Sequence, residues 1–170
     1  MNIAILGHGL EGQAVEAYFK THSSEASPNH FTFFDHFEDH QIPDFHLENF
    51  DLVFRSPSVH PQFVLEPEQR GKSQNWTSIT NYFFENCKAP IIGVTGTKGK
   101  GTTCSIITNL LRQFPERFNN IHLVGYIGTP AILELDKITE KDLVVYEMSS
   151  FQCRDLRKSP HVAVVLRIEP

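Results

Sequence analysis

Cysteine is scarce in this sequence: three in 170 residues, at positions 87, 104 and 153. An odd, widely spaced set offers no disulfide framework and suits a reducing cytoplasm. Positive charge is not in excess either. The formal net charge is -5, so no basic footprint argues for a nucleic-acid partner. The nine histidines sit in polar segments without zinc-ligand spacing. There is no long apolar run to cross a membrane, and the opening MNIAILGHG lacks the basic start of a secretory signal. What remains is a chain with 40% hydrophobic residues, enough for a core, and a length of one to two domains. The expectation is a soluble, cytoplasmic, monomeric α/β protein.

The stretch at 90–103, PIIGVTGTKGKGTT, dominates the pattern. Ile91, Ile92 and Val94 are β-branched and bounded by Pro90 and Gly96, which predicts a short buried strand. Beyond the glycines, Ile106, Ile107, Leu110 and Leu111 recur at helical spacing. Strand, glycine turn and helix in that order make a phosphate cradle: glycines let backbone N–H groups turn inward, and the helix N-terminus adds partial positive charge. Gly96, Thr97, Lys98, Gly99, Lys100, Gly101, Thr102 and Thr103 are therefore the candidate ATP-binding residues. Lys100 would pair with the β- and γ-phosphates, and Thr102 or Thr103 would reach a Mg²⁺ ion. The spacing departs from G-x-x-x-x-G-K-[ST], because Gly101 stands where Ser or Thr is usual. The plainer alternative is a glycine-rich βα turn with exposed lysines.

A second turn opens the chain. Residues 2–6 read as a strand, GHGLEG at 7–12 fits G-x-G-x-x-G, and Ala14, Val15, Ala17, Tyr18 and Phe19 follow as a helix. A strand at 31–34 then delivers Asp35, at the spacing of a ribose-contacting carboxylate. Gly7, Gly9, Leu10 and Gly12 are candidates for a nucleotide pyrophosphate. A Rossmann-like turn that has kept its shape without a ligand is the alternative. Residues 51–55 make a third strand, and the loop SPSVHP follows with Ser56 and Ser58 at its carboxyl end, where open α/β sheets bind ligands. A helix at 62–71, a strand at 74–77 and a helix at 78–87 precede a boundary at 88. Further on come a strand at 121–124, a second glycine turn holding Tyr126, a brief helix at 131–135 and a strand at 143–146. That strand presents Glu147 at its carboxyl end, where a carboxylate would hold Mg²⁺ on a triphosphate. Ser149 and Gln152 stand beside it, a short helix ends at 156–158, and an apolar strand fills 162–168.

Four stretches together resemble the Mur ligases, the ATP-dependent amide-bond ligases of peptidoglycan precursor synthesis: GVTGTKGKGTT at 93–103, GYIGTPA at 125–131, YEMSSFQ at 146–152 and LRIEP at 166–170. GHGLEG and SPSVHP look most like the D-glutamate-adding members. The GKG form of the loop is also similar to folylpolyglutamate synthases, but those lack a Rossmann-like N-terminal domain. The resemblance implies a Rossmann-like UDP-substrate domain at 1–88 and the first part of a P-loop-type ATPase domain with a mostly parallel sheet at 89–170. It further implies an amino-acid-binding domain outside this sequence, so the chain as given is expected to be an inactive N-terminal portion. ATP and Mg²⁺ are the implied cofactors, and UDP-N-acetylmuramoyl-L-alanine and D-glutamate the implied substrates.

The resemblance places Gly9 and Gly12 near the UDP pyrophosphate, Asp35 and His36 near uracil, and Ser56 and Ser58 beside the same cleft. It gives Lys100 and Glu147 the catalytic roles, Thr102 and Glu147 the metal, and Ser149 and Gln152 the muramoyl-peptide side. Two departures stand out: Tyr126 replaces an Asn, which bears on substrate contacts there, and Arg167 replaces another. Weak or unmeasurable nucleotide affinity at the 93–103 loop is expected of the chain as given. A nicotinamide-binding domain is the rival reading of Gly7, Gly12 and Asp35, though it leaves Glu147 and the second loop without a role. A non-catalytic, Mur-derived binding module is a further rival.

Overall fold

The computed structural model describes residues 1–35, 46–59, 75–125 and 130–169. The expected helix at 62–71 lies outside them. The chain divides into two compact units, Met1–Ile79 and Thr80–Pro170. Each is built on a parallel four-stranded sheet, and each sheet has a glycine turn leaving one central strand for a helix.

In the first unit, β1 (Asn2–Leu6), β2 (His30–Phe34), β3 (Leu52–Arg55) and β4 (Trp76–Ser78) assemble in the order β2-β1-β3-β4. β1 is central and its residues 3–6 are buried, as a continuous apolar run in a parallel sheet requires. Helix α1 (Leu10–Thr21) buries Ala14, Val15, Tyr18 and Phe19, a helical stripe. Ala4, Leu6, Val53, Val59 and Trp76 form a core on which Phe34 and Phe50 pack. The single tryptophan is therefore a core residue.

In the second unit, helix α2 (Ile79–Asn86) is followed by β5 (Ile91–Thr95), α3 (Lys100–Leu111), β6 (Ile121–Gly125), β7 (Leu143–Glu147), α4 (Ser150–Cys153) and β8 (Val162–Val165), with a 3₁₀ turn at Ala131–Lys137. The sheet order is β6-β7-β5-β8, and β7 is buried along its whole length. The units meet between Ile79 and Thr80, whereas the sequence pattern put a boundary after 88. Aromatic packing explains this: Phe83 and Phe84 of α2 lie edge-on to Tyr146 of β7, centroids 5.2 and 5.5 Å away.

Three local expectations shift. α3 buries Cys104 and Thr108 and packs Ile107 on the Val94–Val145 core, while Ile106 and Leu110 face outward. The helix expected to end at 156–158 stops at Cys153. There the Asn81 amide takes the next segment over, donating to the Asp155 carbonyl and accepting the Arg157 N–H, both at 2.8 Å. The last strand ends at Val165, because residues 166–169 turn to bind the glycine loop.

Candidate functional site

The loop after β5 is held from both sides. Gly96 has φ +143, and a Cβ there would lie 2.7 Å from the Leu166 side chain, so only glycine suits this position. The Leu166 N–H donates to Thr95 O at 2.8 Å, Thr97 N–H to Arg167 O at 3.1 Å, and Glu169 N–H to the Thr97 hydroxyl at 2.9 Å. Segment 166–169 is thus a strap on the loop. Leu166 and Arg167 act there through their backbone. α3 starts from Gly99 with no side-chain cap, so its first N–H groups are open to an anion. Lys100 Nζ donates to Gly96 O at 2.9 Å and to Thr97 O at 3.4 Å, which folds it across its own loop. Lys98 pairs with Glu169 at 3.1 Å.

Glu147 ends β7, the strand beside β5, in register with Val94. It is buried, and its Oε2 has no hydrogen-bond partner among the described residues. Burial pushes its carboxyl above the ordinary range, and the positive charge of Lys100 partly opposes this. The thiol of Cys104 rises to about 11, through burial first and the Glu147 charge second. A buried carboxylate with an orphan oxygen is a fit for a cation. Thr102 lies exposed on the first turn of α3, and no cluster of three metal-ligating side chains occurs among the described residues. One carboxylate suits Mg²⁺, which usually completes its octahedron with water and phosphate.

The loop opens on a cleft of about 740 Å³, lined by Thr95, Gly96, Thr97, Lys100, Ser149, Ser150, Phe151, Cys153, Arg154 and Ile168. Ser149 and Gln152, expected on the substrate side, bond to each other. The Ser149 hydroxyl accepts the Gln152 N–H at 3.2 Å and the Gln152 side chain accepts the Ser149 N–H at 2.8 Å, a capping box for α4. Gln152 is buried; Ser149 still reaches the cleft wall.

The turn of the first unit is built differently. The Gly7 N–H donates to Phe34 O at 2.8 Å, and Asp35 Oδ1 accepts the His8 N–H at 2.9 Å, so Asp35 braces the turn at the carboxyl ends of β1 and β2. A Cβ at Gly12 would collide with Gly7 O, whereas nothing lies within 4 Å of one at Gly9. Leu10 is 82% exposed at the start of α1. Ser56 and Ser58 face each other, their hydroxyls 3.3 Å apart. His36 and Tyr126 lie outside the described residues. Sequence reasoning missed Arg55. This residue is 1% exposed and donates to the carbonyls of Ser56, Pro57 and Val59, which shapes the serine loop from beneath. An arginine closing an apolar strand immediately before a Pro-rich loop was the available signal.

Residues 94–170 match the Mur ligase middle domain. Among curated proteins, the UDP-N-acetylmuramoylalanine--D-glutamate ligase of Acetivibrio thermocellus is 39% identical over 127 residues, covering 73% of this chain and 26% of that protein. The protein of the same name from Ruminiclostridium cellulolyticum is 36% identical over 130 residues, 75% of this chain and 27% of its own length. That of Symbiobacterium thermophilum is 35% identical over 125 residues, 73% and 27%. The chain spans about a quarter of the length of these relatives. The glycine loop, the acid at the neighbouring strand end and the sequence match agree: residues 94–170, in the second unit, are a Mur ligase middle domain, a P-loop ATPase-like fold.

Proposed function

We propose that the chain supplies the triphosphate-binding and UDP-binding parts of an ATP-dependent acid–amino-acid ligase of cytoplasmic peptidoglycan precursor synthesis. In the whole protein the substrates would be UDP-N-acetylmuramoyl-L-alanine and D-glutamate, the reading that the relatives' names support. A carboxylate oxygen of the first substrate attacks the γ-phosphorus of ATP, forming an acyl phosphate and releasing ADP. The amine of the second then attacks the acyl carbon, phosphate leaves, and the amine proton is lost to give an amide. Such chemistry needs positioning and charge neutralisation more than a protein nucleophile.

The observation that carries this reading is the orphan, buried Glu147 on the strand next to a glycine loop that holds Lys100. Lys100 leaves the Gly96 and Thr97 carbonyls to meet the β- and γ-phosphates, and the open N–H groups of α3 receive them. Glu147 and Thr102 would hold Mg²⁺, which neutralises phosphate charge when bound. In the first unit, the turn at 7–12 would take the UDP pyrophosphate through backbone N–H groups alone. Asp35, Ser56 and Ser58 offer polar groups to its sugar or base.

Titration with millimolar ATP, with and without Mg²⁺, tests this. Lys100→Ala should lose ATP affinity by about 100-fold, the scale of losing charge-assisted bonds to a phosphate. Glu147→Gln should lose only the Mg²⁺-dependent part. Equal ATP binding by wild type and Lys100→Ala overturns the proposal.

A further inference from the structure

The cleft beside the glycine loop carries a second cation that the proposed handling of phosphate does not use. Its lining holds both Lys100 and Arg154, with no carboxylate among the described lining residues, in a chain whose net charge is -5. Charge of one sign gathered in a concave site marks it for an anion. Arg157 and Arg167 sit near Glu85 and Glu169, at 3.7 and 3.6 Å. Arg154 has no acidic partner among the described residues. Its guanidinium lies over the Phe151 ring, 5.3 Å from the centroid.

From this we infer that Arg154 anchors a carboxylate in the cleft, and so is a specificity-determining residue for the acid that is activated there. A guanidinium stacked on an aromatic face keeps its N–H edge free, and that edge matches the two oxygens of a carboxylate. The arm is preorganised. The Ser149–Gln152 capping box fixes the chain before it, and the Asn81 amide pins Asp155 and Arg157 after it. Phe151 is 52% exposed, an apolar wall for the short stem that bears the acid. About 740 Å³ is within the range of roughly 300–1,000 Å³ of small-molecule sites. The inference rests on the proposed function, since a carboxylate to be phosphorylated must lie in reach of the triphosphate.

The test uses the 170-residue chain and two probes that differ only in charge, N-acetyl-L-alanine and N-acetyl-L-alaninamide. Each is titrated with and without ATP and Mg²⁺, reading the amide signals of Thr97, Phe151 and Arg154. The acid should bind at least about tenfold more tightly than the amide in both arms. Arg154→Gln should erase that preference while leaving ATP binding as in wild type, and Arg154→Lys should keep part of it. Arg154 is exposed, so its variants keep the fold, which a full amide spectrum checks. An acid preference that survives Arg154→Gln, or no preference in wild type, overturns the inference. ATP silence with the acid preference intact counts against the ATP reading alone.

Discussion

The two units solve one backbone problem in two ways. Each sends a central parallel strand through a glycine turn into a helix with no side-chain cap. The first turn carries no lysine and is braced by a carboxylate, Asp35, on the His8 N–H. The second carries Lys98 and Lys100 and is strapped by the backbone of 166–169. Shared geometry thus makes the two proposed anion seats alike, and side-chain charge sets them apart. A diphosphate already tied to a sugar and a base can be held by N–H groups and polar neighbours. A triphosphate about to be cleaved needs cations.

The sharpest way to break this comparison is to exchange what differs. Lys100→Ala should remove ATP binding by the second unit, near 100-fold, and leave UDP binding by the first unchanged. Next in size are the glycines that fix each turn. Gly96→Ala forces a side chain into a left-handed backbone against Leu166, and Gly12→Ala drives one into the Gly7 carbonyl. Each should cost about 2 kcal/mol, measured by denaturant unfolding, and each should impair only the ligand of its own unit. Arg55→Met removes the donor that ties together the Ser56, Pro57 and Val59 carbonyls, of which Ser56 keeps only the Val59 N–H. We expect a similar or slightly smaller loss of stability, with weaker UDP binding.

The smallest effects concern two buried acids of the second unit with opposite titration. Burial raises the Glu147 carboxyl and Lys100 only partly offsets it. A raised native value means the folded chain keeps this proton at a pH where the unfolded chain has lost it. Stability therefore falls as pH climbs from the ordinary 4.5 upward, until the folded chain also loses the proton. Glu147→Gln should stabilise the unit by about 1 kcal/mol at pH 7 while impairing Mg²⁺-dependent binding, the usual exchange of stability for function. Asp142 is also buried, which alone would raise it. Bonds from the Thr139 N–H and hydroxyl and from Asn120, together with the His122 charge, more than reverse that. Its contribution is present above the ordinary 3.8 and is lost as pH falls below it, so Asp142→Asn should lower the melting temperature at pH 7 and flatten its acid limb.

Both strand–turn–helix units were legible in the sequence because β-branched runs, glycines and helical periodicity are local signals. Asp35 and Glu147 were legible for the same reason: one directly follows an apolar strand and the other closes one. What was hidden depends on partners far along the chain. The strap joins 166–169 to 95–97, Asn81 joins α2 to the segment after α4, and α2 sits with the second unit through Tyr146. Gln152 illustrates the same limit. Its place in a motif marked it, but only its burial and its bond to Ser149 show that it holds α4 in shape.

Amide signals along the whole chain, followed during separate titrations with ATP and with UDP, decide whether the two turns hold different nucleotides. ATP with Mg²⁺ should move residues 96–103 and spare 7–12, while UDP should move 7–12 and Asp35 and spare the lysine loop. ATP signals confined to the first turn, or none at 96–103 at saturating nucleotide, would contradict that division.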